Sequence, residues 1–258
     1  MRQLFSELLR NRQLVSALAL QELRVRYKRS VLGFFWALLN PLFMMTILTV
    51  VFTYIMRVKV HAYSIFMLSA LLPWTLFNQA LTYSAESIVS HAHLLKKMYI
   101  GKAIFPVAAV LANIINFGLS MIPLFVLMIA LRFPLHWTWI YIPVPLFGLL
   151  LFSLGCGFFV AAANVFFRDV AHIIQIVLQG WFYLSPVIYS VDFVPHRYQW
   201  LFHLNPMVYT LNGFRLAIYY GQLPQLSSIA MTFVVGFLAL YLGYAFFRRH
   251  QDSFVLYV

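Results

Sequence analysis

Long uncharged runs separated by short polar segments set the pattern of this chain. Residues 31–56, 63–84, 103–131, 139–167, 170–190 and 227–247 contain no Asp, Glu, Lys or Arg. Each run is about 20 residues or longer, the length an α-helix needs to cross a bilayer. The pattern therefore predicts six transmembrane helices, the first kinked at Pro41. Ahead of them, helical periodicity over residues 2–22 gathers Leu4, Leu8, Val15, Leu18 and Ala19 on one face and Arg2, Gln3, Ser6, Arg10, Gln13 and Gln21 opposite, predicting an amphipathic helix that lies on the membrane. Glu7, Arg10 and Arg12 leave no uncharged core for a signal peptide, so this helix reads as part of the mature chain. The most polar internal stretch, ESIVSHAHLLKKMYIGK at 86–102, predicts a short amphipathic helix and then a turn at Gly101. Residues 191–226 mix prolines with many aromatics and predict two short interfacial or re-entrant helices before the last span.

Composition agrees with this reading. The chain is 63% hydrophobic and 9% charged, whereas an aqueous surface needs about 25% charged residues. The fold class is an all-α integral membrane protein. The formal charge of +12 sits at the borders of apolar runs, which points to an anionic membrane surface and not to nucleic acid. With the N-terminus inside, 13 Lys and Arg fall in internal segments and 5 in external ones, so both termini are expected in the cytoplasm. The lone Cys156 excludes an intrachain disulfide.

Chemistry is sparse. The span interiors lack ionisable acids and bases, against an ion-coupled carrier. No G-x-x-x-x-G-K-[ST] loop occurs, so any ATP hydrolysis belongs to a partner. Segment 86–102, with Glu86, His91, His93, Lys96 and Lys97, is either a docking point for that partner or a solvated loop. His91 and His93 at i, i+2 diverge on a helix, which disfavours a metal site. Amides at Asn40, Asn78, Gln79, Asn113, Asn116, Asn164, Gln175 and Gln179 suit interhelical hydrogen bonds. With Phe34, Phe35, Trp36, Trp74, Phe77, Trp181 and Tyr183 they equally suit the lining of a sugar pathway. Ser153, Gly157 and Ala161 form a small-residue stripe for close helix packing, and Asp169 is placed to cap the fifth span. Arg24, Arg26, Lys28 and Arg29 either anchor the first span or hold the phosphates of a lipid-linked substrate.

Four segments, LRVRYKRSVLGFFWALLNPL at 23–42, LSALLPWTLFNQAL at 68–81, HLLKKMYIGKAIFPVAAVLANIINF at 93–117 and FFRDVAHI at 166–173, closely resemble the membrane subunit of ABC-2-type polysaccharide exporters of the O-antigen and teichoic-acid type. Where that family often reads K-V-Y-F-P-R, this chain has KMYIGK, which keeps Lys102 but not the proline. The resemblance implies a homodimeric permease in the bacterial cytoplasmic membrane. Two separate ATPase subunits, carrying the ATP and Mg, would drive an undecaprenyl-diphosphate-linked glycan outward through a channel at the dimer interface. It also implies roles: residues 1–30 as interface helix and gate region, with the Arg24 to Arg29 cations near the pyrophosphate, and 31–258 as the transmembrane domain. Within the latter, about 86–97 would be the coupling helix and 191–226 the outer gate helices. A membrane enzyme acting on lipid-linked sugars, or an exporter of a smaller lipophilic compound, are the alternatives. Against the enzyme, the six acids are scattered along the chain.

Overall fold

The computed structural model describes residues 2–28, 32–57, 60–97 and 100–258, without the side chains of residues 2–5, Tyr27 and Phe34. Among the described residues every regular element is helical: α1 Arg2–Arg10, α2 Arg12–Tyr27, α3 Trp36–Thr49, α4 Tyr63–Ser90, α5 Ala92–Lys97, α6 Ile104–Ala130, α7 Pro143–Phe166, α8 Val170–Tyr183, α9 His196–Leu204, α10 Pro206–Arg215, α11 Leu226–His250 and α12 Phe254–Tyr257. Five helical stretches are long and apolar enough to cross a membrane: Trp36–Ile55, Tyr63–Lys97, Ile104–Ala130, Trp137–Phe166 and Leu226–Tyr257. The bundle has two ends. One holds the last turn of α4, the first turn of α6 and the C-terminus, together with most of the lysines and arginines, and is called here the basic end.

The fifth expected span, 170–190, is not a full-length helix. Its α8 has 14 residues, about 21 Å at 1.5 Å per residue, short of the ~30 Å hydrocarbon core. Pro186 explains the stop, because it lacks an N–H and disfavours helical backbone at the residue before it. The chain continues without regular structure through residues 185–188, all buried. Non-helical backbone at such depth requires partners for its carbonyls. Two side chains supply them. Arg215 is 4% exposed; its Nη2 donates to Pro186 O and Val187 O, both at 2.8 Å, and its Nη1 to Tyr189 O at 3.3 Å. Asn205 donates to Leu184 O and Ser185 Oγ, while its own Oδ1 accepts from Trp181 Nε1 and caps α10 at Met207 N. Tyr63 at the head of α4 closes the segment by donating to Ile188 O at 2.7 Å.

Helix α4 is the central post, buried along most of its length and flanked by α3, α6, α7, α8 and α10. The expected small-residue stripe of α7 packs on it: a Cβ added at Gly157 would lie 2.9 Å from Ser84 Oγ. A second stripe, Gly148 and Gly155, escaped the sequence reading. It faces Gly236 and Gly243 of α11 so closely that a Cβ at Gly155 would strike the backbone of Ala239 and one at Gly243 the carbonyl of Gly155. The expected cap is also corrected. Asp169 makes no side-chain cap bond; Asn164 Oδ1 accepts from Ala171 N instead, and its Nδ2 donates to Ala85 O, tying the start of α8 to α4.

Three boundaries differ from expectation. The N-terminal helix breaks at Asn11, whose side chain donates to Glu7 O, and its second part runs on to Tyr27, burying Val15, Leu18, Ala19 and Leu23 against α6. Residues 86–90 belong to α4, so the separate helix of the 86–97 segment is α5 alone. In 191–226 α9 has no buried residues, whereas α10 turns back into the core through Met207, Leu211 and Phe214.

Arg215→Leu removes the donors of three buried carbonyls. Since each buried acceptor left bare costs about 1–3 kcal/mol, we expect a loss of at least ~3 kcal/mol, read as a lowered thermal unfolding midpoint in detergent micelles. Arg215→Lys should recover part of it.

Candidate functional site

The last turn of α2 carries the basic run into the bundle. Arg26 Nη1 donates to Asn113 Oδ1 of α6 at 3.1 Å and to Gln79 Oε1 of α4 at 3.3 Å. Asn116 Nδ2 donates to the same Gln79 oxygen at 3.0 Å, and Asn113 is oriented by its own bond to Ala109 O. The guanidinium lies 3.8 Å from the centroid of the Tyr83 ring. Asn113 is nine residues past the first residue of α6, about 14 Å along that helix. The cation therefore sits within the packed helices and not at a surface mouth. Its Nε and Nη2 are buried without a hydrogen-bond partner.

An open cavity of about 240 Å³ adjoins this network, sharing Gln79 and Asn116 and lined further by Trp36, Asn40, Thr75 and Ser120. Ser120 donates to Ala37 O at 3.2 Å, which places the start of α3 beside the middle of α6. Helix α2 thus packs along the first half of α6, and the start of α3 lies beside its middle.

The sequence-predicted residues separate into distinct places. Arg24 and Lys28 are exposed, and Arg29 lies outside the described residues, as do the side chains of Tyr27 and Phe34. Phe35, Trp36 and Asn40 are exposed on the α3 side of the cavity, and Asn78 is half-buried on α4. Trp74 and Phe77 are instead in the aromatic core. Trp181 meets both edge-on, at 6.3 and 5.3 Å between centroids, and Phe77 stacks on Phe152. Tyr183 is exposed at the end of α8. Sequence reasoning missed Tyr83, which only tertiary contact brings to Arg26, and Glu22, which stands one turn before Arg26 on α2; it placed Arg26 at the mouth of the first span and counted Arg215 among the external charges.

At the basic end, Glu86, His93, Lys96 and Lys97 are exposed, Leu95 is buried, and His91 stacks on Phe105 while its Nδ1 meets Ser87 O at 2.8 Å. The α5 helix therefore offers a charged outer face on an anchored inner one. Burial pushes the Glu22 carboxyl up from its ordinary value, against the pull of His91 and Arg26, with Glu86 adding to the rise. The field of α2 is in this way coupled to the α4–α5 corner. Glu7 of α1 occupies the space a Cβ at Gly101 would fill. A proline ring at 101, as in the motif this chain departs from, would collide with it, so the glycine and the glutamate form one fitted contact. Lys102 Nζ donates to Gln251 O, attaching the C-terminal tail to the same corner. Burial also lowers the Lys102 ammonium from its ordinary value, with Asp252 opposing.

Long apolar helices, an amide-bound guanidinium within them and a charged corner joining two of them define a multi-pass membrane protein with an internal polar site. The chain belongs to the ABC-2 type transporter family, whose model matches residues 13–219. It is 31% identical to the O-antigen export system permease protein RfbA of Myxococcus xanthus over 97% of both chains. It is 29% identical to the RfbA protein of Klebsiella pneumoniae over 91% of this chain and 90% of that one. The polysialic acid transport protein KpsM of Escherichia coli is 22% identical over 93% of this chain and 94% of its own. Membership implies a membrane setting and an ABC ATPase partner.

Glu22 yields a pH prediction. Its folded-state pKa lies above the model-compound value of 4.5, so its contribution to stability is complete below that value and declines as pH rises through the raised one. We expect Glu22→Gln to match the parent in thermal midpoint near pH ~4 and to exceed it near pH ~7, where the parent carries a buried carboxylate. Thermal unfolding across that range measures the difference.

Proposed function

We propose that this chain is the permease subunit of an ATP-driven exporter that moves an undecaprenyl-diphosphate-linked polysaccharide of the O-antigen class out of the cytoplasm. It works as a homodimer in the cytoplasmic membrane, with both termini inside and two copies of a separate ATPase that bind ATP and Mg. The observation that carries this reading is Arg26: a guanidinium with buried, unpartnered Nε and Nη2 atoms, held by amides beside a cavity between α3, α4 and α6. Arginine in such a setting suits the oxygens of a diphosphate, which it can grip by two parallel bonds. The names of the RfbA and KpsM relatives supply the glycan class.

Each part of the chain then has a task. Arg24, Lys28 and Arg29 draw the anionic head group toward α2, and Arg26 receives it. The exposed side of α5 and the end of α4, with Glu86, His93, Lys96 and Lys97, rest in a groove of the ATPase. A push there reaches Arg26 through α2, because Glu22 faces His91 and Glu86 across the corner. The turn at Gly101, filled by Glu7, keeps α1 moving with the corner.

Cells lacking the chain should accumulate lipid-linked polymer in the cytoplasmic leaflet, measured by extracting and sizing the glycolipid; absence of any accumulation would indicate a smaller lipophilic cargo. The purified chain should hydrolyse no ATP by itself and should bring an ATPase with it from the membrane.

Losing charge-assisted bonds costs about 1.5–3 kcal/mol. Arg26→Gln should therefore slow export roughly tenfold or more, with membrane topology unchanged when probed by cysteine labelling. Inverted topology at unchanged specific activity would reduce Arg26 to an anchor.

A further inference from the structure

At the end of the bundle opposite the basic end, a second open cavity of about 490 Å³ lies between the turn at residues 190–192, helices α9 and α10, and the start of α11. The diphosphate reading does not use it. The size falls within the ~300–1,000 Å³ typical of small-ligand sites, and its walls are mixed in character. Tyr209 lends a ring, with its hydroxyl donated to His203 O at 2.9 Å. Asn212 and Gln222 present exposed amides. Asp192 presents a carboxylate steadied by Ser190 Oγ at 2.7 Å. At the back stands Arg215, whose Nε is buried without a partner even though its other nitrogens are bound to carbonyls.

The geometry points to a saccharide-binding subsite for the exported chain, separate from the diphosphate site. One carboxylate and one guanidinium face the same cavity, so it offers no net positive charge, and a phosphate would meet Asp192. A lipid tail would leave the amides and the carboxylate unpartnered, which is costly once water is displaced. A neutral polyhydroxylated ring fits both constraints: hydroxyls donate to Asp192 and to the amide oxygens and accept from the amide N–H groups, and the ring face lies on Tyr209. The inference rests on the export reading for the origin of the sugar. It adds that this end of the permease holds part of the glycan and does not merely open for it. Since Arg215 also braces the non-helical segment 184–190, an occupied cavity and the shape of that segment are joined through one side chain.

The test uses the full chain reconstituted in lipid nanodiscs. The probe is a fragment of a few neutral sugars, freed of lipid, from the surface polysaccharide of the strain that encodes the chain. Saturation-transfer difference NMR should show transfer from protein to the fragment. Transfer should fall at least fivefold in Asn212→Leu and in Asp192→Asn, both at exposed positions, with thermal midpoints confirming that each variant folds. It should persist in Arg26→Gln and in the presence of inorganic pyrophosphate. No transfer from the parent chain, undiminished transfer in both cavity variants, or displacement by pyrophosphate would each overturn the subsite. Polymer accumulation in the deletion strain with a silent cavity sinks this inference alone, whereas saccharide binding without accumulation sinks only the export reading.

Discussion

Backbone carbonyls inside a membrane protein must find donors within the protein, and in this chain one guanidinium answers most of that demand. Arg215 bonds three carbonyls of the segment that leaves α8 and rests 4.0 Å from the centroid of the Phe66 ring. The segment it braces ends at Tyr63, the first residue of the central helix α4. Asn205 performs the companion task, holding the start of the same segment while capping α10 and orienting Trp181. Trp181 in turn is wedged against Trp74, Phe77 and Phe152, so α4, α7 and α8 meet at one aromatic cluster. A single irregular stretch thus fixes the position of α10, the end of α8 and the head of α4 together.

Much of this architecture was legible in the sequence because apolarity over a long run has one physical outcome in lipid. Five of the six runs fall in helical stretches long and apolar enough to cross a membrane, the second and the last extending past their expected ends. The fifth run, 170–190, stops at Tyr183, three residues before Pro186, which cannot donate a backbone N–H to continue it, although Pro41, Pro73 and Pro123 sit inside continuous helices elsewhere. Packing chemistry was readable in part: the Ser153, Gly157 and Ala161 stripe was visible as a local repeat, while the Gly148 and Gly155 stripe needs its partners Gly236 and Gly243, 88 residues further on, to acquire meaning. The capping role went to Asn164 over Asp169 because an amide can both accept from Ala171 N and donate to Ala85 O, whereas an ionised carboxylate accepts only.

The candidate site was legible as a composition and not as a place. Arg26, Gln79, Asn113 and Asn116 were each noticeable, the first as one of four cations before a span and the others as amides within spans. No spacing rule links position 26 to positions 79 and 113. Their meeting depends on α2 turning upward along α6, which in turn depends on Val15, Leu18, Ala19 and Leu23 forming a continuous apolar face. That face was recognised, but with polar residues opposite it the helix was assigned to the lipid surface. A protein groove satisfies the same amphipathic pattern.

The two guanidinia within the bundle differ in how far their donors are satisfied. Arg215 spends its Nη atoms on three backbone carbonyls, leaving only Nε without a partner. Arg26 spends one nitrogen on two neutral amide oxygens and keeps Nε and Nη2 bare. Burying donors of a charged group without acceptors is costly, and folding gains nothing from it, since a glutamine or methionine of similar length would fill the space at less cost. On the export reading proposed above, an anion arriving at Arg26 would relieve this imbalance. A permease that binds its head group at a site under-satisfied when empty and satisfied when loaded converts substrate arrival into a stability difference between its states, and a separate ATPase needs such a difference to act on.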